Sequence, residues 1–182
     1  IPSASVALID EGRIAFANAY GENATPDTVY QAASLSKFVA AVGAMRLVED
    51  GTLDLDQDVN DKLTSWKVPS NALDATHKVT LRGLLSMTGG IGVPGFLGYE
   101  AGAPLPTLPQ ILDGSPPANS PPVTVIAVPG SAYHYSGGGY EIAEALMQDA
   151  TGKPFPHLMQ DLVLGPMGMT ASSFDQPPGA AF

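Results

Sequence analysis

Residues 31–50 read QAASLSKFVAAVGAMRLVED, and this stretch decides the fold. Apolar side chains recur in it at helical spacing, which predicts a helix from about Ser34 to Asp50 with Gly51 as a C-cap residue. Alanines fill most of the remaining positions. We therefore expect a helix that is buried on most sides.

The first turn of this helix carries a serine and a lysine on one face. Ser34 and Lys37 are three residues apart, so their side chains lie on the same side of the helix. Partial burial and the positive end of the helix dipole both favour the neutral amine of Lys37. A neutral amine can accept the proton of a neighbouring hydroxyl and so make a serine nucleophilic without a histidine. The pair is equally consistent with an N-cap serine and a first-turn lysine, so other segments must decide.

The composition excludes several classes of protein. The chain has 182 residues, of which 45% are hydrophobic and 14% charged, and this is typical of one globular domain. Its net charge of −10, with no cluster of Lys and Arg, argues against a nucleic-acid-binding protein. The absence of cysteine excludes disulfides, zinc–thiolate sites and cysteine nucleophiles. No apolar run approaches the length of a membrane span.

The flanking elements are predicted from periodicity and turn residues. Strand-like runs at Ser5–Ile9 and Ile14–Tyr20, joined by turn residues 10–13, predict a β-hairpin. Residues 91–122 are rich in Gly and Pro and predict a long loop, which is usually functional or covers a site. Further helices are predicted over about 81–87, 108–111, 139–152 and 157–164.

A second unusual stretch is YHYSGGGY at residues 133–140. Three consecutive glycines before a helix let the backbone turn close to another group, and Tyr135 would project from that turn. Taken alone, the stretch is also consistent with a glycine-rich helix entry and tyrosines packed in the core.

Four segments, taken in order, resemble the serine β-lactamase and penicillin-binding-protein superfamily. The resemblance is strongest to class C β-lactamases, D-alanyl-D-alanine peptidases and family VIII esterases, and it covers roughly residues 1–175. The segments are QAASLSK (31–37), VTLRGLLSMTGGI (79–91), PGSAYHYSGGGYEI (129–142) and TGKPFPHLMQDLVLGPMGMTASSF (151–174).

The resemblance implies a β-lactamase-like fold of the α/β class (α+β type), with an antiparallel sheet flanked by helices and a largely helical lobe. Residues 1–51 would begin the α/β lobe, residues 52–165 would form the helical lobe, and residues 166–182 would return toward the α/β lobe. The family's third motif, Lys or His followed by Thr/Ser-Gly on a strand, would lie beyond residue 182. We therefore expect the fold to be incomplete in this chain and to be completed by a second chain, as a heterodimer.

The resemblance also implies roles for three residues. Ser34 would be the acylated nucleophile and Lys37 its proton-accepting neighbour. Tyr135 would pass a proton to the leaving group and activate the deacylating water. Whether Lys37 or Tyr135 is the general base stays open. The backbone N–H at Ser34 would supply one oxyanion donor.

Three further residues are candidates for substrate binding. Gly137 stands where the family pattern has Asn, so an amide that would contact substrate is missing. This departure casts more doubt on β-lactam hydrolysis than on ester cleavage. Phe96 and Tyr99, in the Gly/Pro-rich loop, are candidate apolar contacts for a hydrophobic acyl group.

These implications predict a serine hydrolase that acts on a small ester or amide, with an esterase as the first choice. A β-lactamase or D-amino-acid peptidase is the alternative, and a non-catalytic penicillin-binding or sensor relative remains open. We expect no cofactor and no metal, and the resemblance favours a periplasmic or secreted location. The scattered histidines His77, His134 and His157 show no ligand spacing, and the acidic run at 54–58 lacks the residues of a calcium loop.

Overall fold

The computed structural model describes residues 2–100 and 102–177. The elements in this part of the chain are β1 (Ser3–Asp10), β2 (Arg13–Gly21), α1 (Leu35–Glu49), α2 (Val59–Lys62), α3 (Leu81–Leu85), α4 (Leu108–Asp113), α5 (Gly137–Thr151), α6 (Phe155–Met159) and a π-helical segment (Gln160–Leu164) that continues α6.

The hairpin at the start of the chain is confirmed. Strands β1 and β2 pair antiparallel, from Ser3 opposite Gly21 to Asp10 opposite Arg13, and form a two-stranded sheet. The connecting residues Glu11 and Gly12 both have positive φ, at 47° and 73°. Two such residues form the tight turn whose twist matches that of the paired strands.

Helix α5 lies at the centre of the core. It packs against α1, α2, α3, α4 and α6, and its side chains Ile142, Leu146 and Met147 are almost fully buried. The Ser136 hydroxyl caps its N-terminus by accepting the N–H of Gly139. Gly152, in the left-handed region with φ 68°, ends it. The predicted end at Gly152 is therefore confirmed, whereas the helix begins two residues earlier than expected.

The expectation that α1 is buried on most sides is wrong for this chain, although its predicted bounds are confirmed. Only Gly43, Ala44 and Leu47 are buried, on the face turned toward α5 and α6. On another side, Leu35 and Phe38 are 77% and 76% exposed. Val39, Val42 and Val48 are partly buried against the core, so the described residues cover one side of the helix and leave its opposite side exposed.

The hairpin shows the same excess of exposed apolar surface. Most side chains of β1 and β2 are exposed, on both faces of the two-stranded sheet. We use the term uncovered apolar residues for the large exposed side chains of the two elements: Val6, Leu8, Ile9, Ile14, Phe16, Tyr20, Leu35, Phe38 and Met45. A water-soluble domain rarely exposes so many large apolar side chains without a partner surface.

The Gly/Pro-rich stretch forms a long loop, as predicted, and α4 is its regular element. Thr107 and Gln110 form a capping box at the N-terminus of α4. A β-bridge joins Ile91 to Val125 and so fixes one end of the loop against the core. In the part of the chain that the structure describes, no helix has the length and hydrophobicity to cross a bilayer.

Candidate active site

Three side chains from two distant parts of the chain meet at one hydroxyl group. Lys37 Nζ donates to Ser34 Oγ at 3.2 Å, within the first turn of α1. Tyr135 donates its phenol to the same oxygen at 2.7 Å, across 101 residues of sequence. The structure therefore brings together the three residues that the sequence singled out.

The backbone around Ser34 is strained and leaves a donor free. Ala33, immediately before it, has φ of 46°, a conformation that costs a non-glycine residue about 1–3 kcal/mol. The N–H groups of Leu35, Ser36 and Lys37 donate to carbonyls three residues earlier. Among the described residues, the Ser34 N–H has no such acceptor. It is therefore available to bind a negatively charged oxygen beside the hydroxyl.

Tyr135 is held by the loop that enters α5. The N–H of His134 donates to the Met87 carbonyl at 2.8 Å. Ser136 is buried, and its hydroxyl donates to the Gly92 carbonyl at 2.8 Å while it caps the helix. These bonds fix the backbone on both sides of Tyr135, so its phenol needs little reorganisation to reach Ser34.

Packing is tightest at the second of the three glycines at this entry. A Cβ atom on Gly138 would lie 2.8 Å from the Gly92 carbonyl oxygen and 2.8 Å from a methyl carbon of Val123. The neighbouring Gly139 has more room, since its nearest contact would be 3.4 Å away at Ser136 Oγ. The predicted close backbone approach is therefore found at Gly138.

The electrostatics favour proton transfer between these groups. The hydrogen bond shared with Ser34 lowers the pKa of the Tyr135 phenol below its ordinary value, and the bond and charge of Lys37 lower it further, against the effect of burial. The Lys37 ammonium also lies over two aromatic rings, 5.4 Å from the Tyr135 centroid and 5.8 Å from that of Tyr140. The pKa of Tyr140 is raised, chiefly by burial.

A cavity of about 340 Å³ opens beside the serine. Its walls combine the nucleophile region of α1, the start of α5, the loop after Pro94 and two phenylalanines. The residues that line it are Ala33, Ser34, Ser36, Lys37, Ala40, Gly95, Phe96, Gly137, Tyr140, Glu141, Glu144, Phe155 and Phe174. This volume suits a small ligand with one apolar group.

A side chain at Gly137 would have close neighbours. A Cβ atom would lie 3.1 Å from the Pro94 carbonyl oxygen and 3.2 Å from Phe96 Cε2. Hydrogen bonds from the N–H groups of Gly137 and Gly138 to the carbonyls of Pro94 and Val93 hold the loop in this position. The Phe96 ring thus lies next to the space that a longer side chain at Gly137 would enter.

Tyr99 lies elsewhere in the described structure. Its hydroxyl accepts the N–H of Asn119 at 3.3 Å, so it joins two parts of the long loop and does not line the cavity beside Ser34. Of the three candidate substrate contacts, Phe96 and Gly137 therefore face this cavity.

Two acidic residues on the cavity wall were not anticipated from the sequence. Glu141 and Glu144 lie one helical turn apart on α5 and are only partly exposed. Burial raises the pKa of Glu141 to about 7, although the charge of Lys37 opposes this rise. Burial, together with the charge of Glu141, raises the pKa of Glu144 to about 8. Their spacing on the α1-facing side of an otherwise apolar helix was the available signal.

The other polar clusters have structural roles. Asp56 forms a two-pronged ion pair with Arg82, with distances of 2.7 and 2.8 Å. The Asp58 side chain caps α2. Within residues 2–100 and 102–177, no group of His, Asp and Glu side chains has an arrangement that could hold a metal ion.

Comparison with known proteins identifies relatives over the whole chain. The family profile described as Beta-lactamase matches residues 1–182. Penicillin-binding protein 4 of Amycolatopsis lactamdurans is 28% identical over 180 residues, which are 94% of this chain and 44% of that protein.

Solved structures show the same likeness. EstCE1, a hydrolase with promiscuous acyltransferase activity, is 28% identical with a TM-score of 0.67, and the match covers 92% of this chain and 47% of that one. The β-lactamase/D-alanine carboxypeptidase of Yersinia pestis is 23% identical with a TM-score of 0.75, over 98% of this chain and 51% of that one. The likeness confirms a β-lactamase-like fold. The chain spans between about a third and a half of the length of its relatives, from 35% to 51%.

Proposed function

This chain belongs to the Beta-lactamase family, and from that premise we propose that it carries the nucleophile of a serine hydrolase acting by acyl transfer. The observation that supports the proposal most is the pair of hydrogen bonds on Ser34 Oγ, from Tyr135 at 2.7 Å and from Lys37 at 3.2 Å. A serine with two titratable partners within hydrogen-bond reach has the arrangement of an activated nucleophile.

Acylation begins when the Ser34 oxygen attacks the carbonyl carbon of a bound ester or amide. Its proton passes to Lys37 or Tyr135, which are coupled and titrate as a unit. The carbonyl electrons move onto oxygen, and the free N–H of Ser34 donates to the resulting oxyanion. When the tetrahedral intermediate collapses, the bond to the leaving group breaks and Tyr135 returns the proton to that group.

Deacylation repeats the sequence with water as the nucleophile. The Tyr135–Lys37 pair accepts a proton from water, and the hydroxide attacks the acyl carbon. The ester bond to Ser34 then breaks, and the hydroxyl recovers its proton. The lowered pKa of Tyr135 supports this role. A more acidic phenol gives up its proton more readily, and Tyr135 must exchange a proton in each step.

An ester substrate fits the site better than a β-lactam. Gly137 offers no side-chain amide to hold a substrate amide group, and Phe96 packs against the space where such a side chain would lie. An apolar wall of Phe96, Phe155 and Phe174 favours a hydrophobic acyl group. β-Lactam or D-amino-acid amide hydrolysis is the alternative, for which the relatives named above provide the precedent.

A non-catalytic relative would use the same residues differently. A penicillin-binding or sensor protein is acylated at serine but does not release the acyl group at a useful rate. The altered position Gly137 is the observation that keeps this alternative open, since it changes the surroundings of the acylated serine.

We further propose that the uncovered apolar residues bind additional β-structure, the remaining part of the family fold. Two observations support this: the exposed apolar side chains of β1, β2 and α1, and the larger size of the relatives. A two-stranded sheet is marginal alone, and its outer edges carry unpaired N–H and C=O groups. Such a partner would also supply a second oxyanion donor, whose absence typically costs about 10²–10³ in rate.

The experiment is to measure labelling by an aryl phosphonate and turnover of p-nitrophenyl esters and a chromogenic cephalosporin. We expect labelling at one site per chain, and loss of that labelling in Ser34→Ala. Full labelling of Ser34→Ala would refute the assignment of the nucleophile. Steady ester turnover, even if slow, supports an esterase, steady cephalosporin turnover supports the alternative, and a single burst equal to the protein concentration supports a sensor.

The same samples test the proposed partner surface. Residues 1–182 alone should self-associate, bind an apolar dye strongly and turn over esters slowly or not at all. A dye-free, monodisperse monomer with normal ester turnover would refute the need for a partner.

A further inference from the structure

We propose that Glu141 is a positioning residue whose carboxyl group acts on Lys37 and so controls the pH at which Ser34 becomes nucleophilic. The inference rests on the proposed function, because it concerns the proton acceptor of that reaction. It assigns a role in the site to a residue outside the three that meet at the serine hydroxyl.

The cavity geometry places Glu141 in the same compartment as the amine. Both side chains line the cavity of about 340 Å³ beside Ser34. Glu141 directly follows Tyr140, whose ring centroid lies 5.8 Å from Lys37 Nζ. The remaining wall between α1, α5 and α6 is mainly apolar, with Ala40 and Phe155. Charges separated by such a wall interact more strongly than charges in water.

No carboxylate lies within salt-bridge distance of Lys37 Nζ among the residues that the structure describes. This atom bonds to the Ser34 hydroxyl and lies over two tyrosine rings, while the four salt bridges found in this part of the chain involve other cations. The carboxyl groups that share the cavity with the amine are those of Glu141 and Glu144, on the wall that α5 forms.

Glu141 faces groups from each element packed around it. Helix α1 contributes Lys37, α5 contributes Glu144 and Tyr140, and α6 and the segment after it contribute the uncharged Phe155 and Phe174. Lys37 is the cation in this set. Glu144 is the second acid, and the charge of Lys37 is not among the causes of its raised pKa.

The coupling between Glu141 and Lys37 must be reciprocal. Burial raises the pKa of Glu141, and the charge of Lys37 lowers it in part. The pKa of Glu141 therefore lies at about 7. The ionised carboxylate therefore attracts the positive charge of Lys37 in return. As the pH rises through 7, Glu141 gains this negative charge, which acts against the loss of a proton from the site.

Removing this charge should move the acid limb of Ser34 reactivity to lower pH. The direction is the same whether Lys37 or Tyr135 is the base, because a nearby anion disfavours both the neutral amine and the phenolate. We expect a displacement of roughly 0.5–1 pH unit in Glu141→Gln, less than the roughly 1–3 units that a charge in direct contact produces, because no salt bridge joins the two groups. On the acid limb this makes labelling about 3- to 10-fold faster than in the unchanged protein.

The test is the rate of aryl phosphonate labelling between pH 5 and 10, measured for the unchanged chain, Glu141→Gln and Glu144→Gln. Glu144→Gln is the matched control, since it makes the same chemical change on the same cavity wall one turn away. We expect its acid limb to stay in place below pH 8, where Glu144 is largely protonated. An unmoved limb in Glu141→Gln, or an equal displacement in both variants, would overturn the inference.

A second measurement separates this inference from folding and from the proposed function. If Glu141→Gln does not fold, the carboxyl titration of Glu141 can be followed by NMR in Lys37→Met. The midpoint should rise when the ammonium is removed, and an unchanged midpoint also overturns the inference. If the unchanged chain is not labelled at all, the proposed function fails, whereas the NMR measurement still tests the coupling.

Discussion

Replacing Glu144 by Gln should make the chain more stable at alkaline pH and leave its stability at acidic pH nearly unchanged. Burial raises the folded-state pKa of Glu144 to about 8, above its ordinary value of 4.5. The folded chain therefore binds this proton more tightly than the unfolded chain. This tighter binding of the Glu144 proton adds to the free energy of unfolding. The contribution is fully present below pH 4.5 and is lost as the pH rises through 8.

The size of the effect follows from that difference. One pKa unit corresponds to about 1.4 kcal/mol, so full ionisation would remove nearly 5 kcal/mol, or roughly 2–4 kcal/mol once water reaching the partly exposed carboxyl is allowed for. Gln keeps a neutral amide of similar shape at every pH. Between pH 4.5 and 9, the free energy of unfolding should therefore fall by about 2–4 kcal/mol less in Glu144→Gln than in the unchanged chain.

Urea unfolding, followed by the fluorescence of Trp66, measures this directly. Trp66 is the single tryptophan, and its indole is buried and hydrogen-bonded to Asp113 at 2.7 Å. Glu49→Gln, at an exposed end of α1, is the control and should change the pH dependence by less than about 0.5 kcal/mol. Parallel pH curves for Glu144→Gln and the unchanged chain would mean that Glu144 is solvated in the folded state and that its pKa is not raised by burial.

Two further predictions concern the entry to α5. Tyr135→Phe removes the 2.7 Å bond to Ser34 and should slow phosphonate labelling by roughly 10²–10⁴ with little change in thermal melting, whereas an unchanged labelling rate would exclude a proton-transfer role. Gly138→Ala should destabilise the chain by about 1–3 kcal/mol, because its Cβ would lie 2.8 Å from the Gly92 carbonyl oxygen. The control Gly139→Ala should be neutral or mildly stabilising, because its Cβ would have more room. Equal urea midpoints for the two variants would show that packing at Gly138 is not tight.

Local sequence signals predicted much of the fold. The alternation in the hairpin and the apolar periodicity of α1 and α5 depend on neighbouring residues, so the bounds of these elements could be predicted to within a few residues. The meeting of Ser34, Lys37 and Tyr135 was anticipated from the motifs and their resemblance to a family. Spacing alone could not bring Tyr135 to Ser34, since 101 residues separate them.

The remaining features depend on tertiary packing. The exposure of Leu35 and Phe38 follows from which elements lie against α1, and no pattern within the helix encodes that. The burial of Glu141 and Glu144 likewise depends on the apolar wall that α1 and α6 place over them. Tyr99 was predicted as a candidate apolar contact from the composition of the Gly/Pro-rich loop. The bond that its hydroxyl accepts from the N–H of Asn119 joins two loop segments, and composition does not encode such a contact.

Locating the covalent adduct most directly tests the claim that Ser34 is the nucleophile. The chain is labelled with an aryl phosphonate, digested, and the modified residue is identified by mass spectrometry in the peptide that contains both Ser34 and Ser36. Both serines line the cavity, but only Ser34 bonds to Lys37 and Tyr135. We predict an adduct on Ser34 that persists in Ser36→Ala and disappears in Ser34→Ala. An adduct on Ser36, or on a serine outside this peptide, would contradict the account.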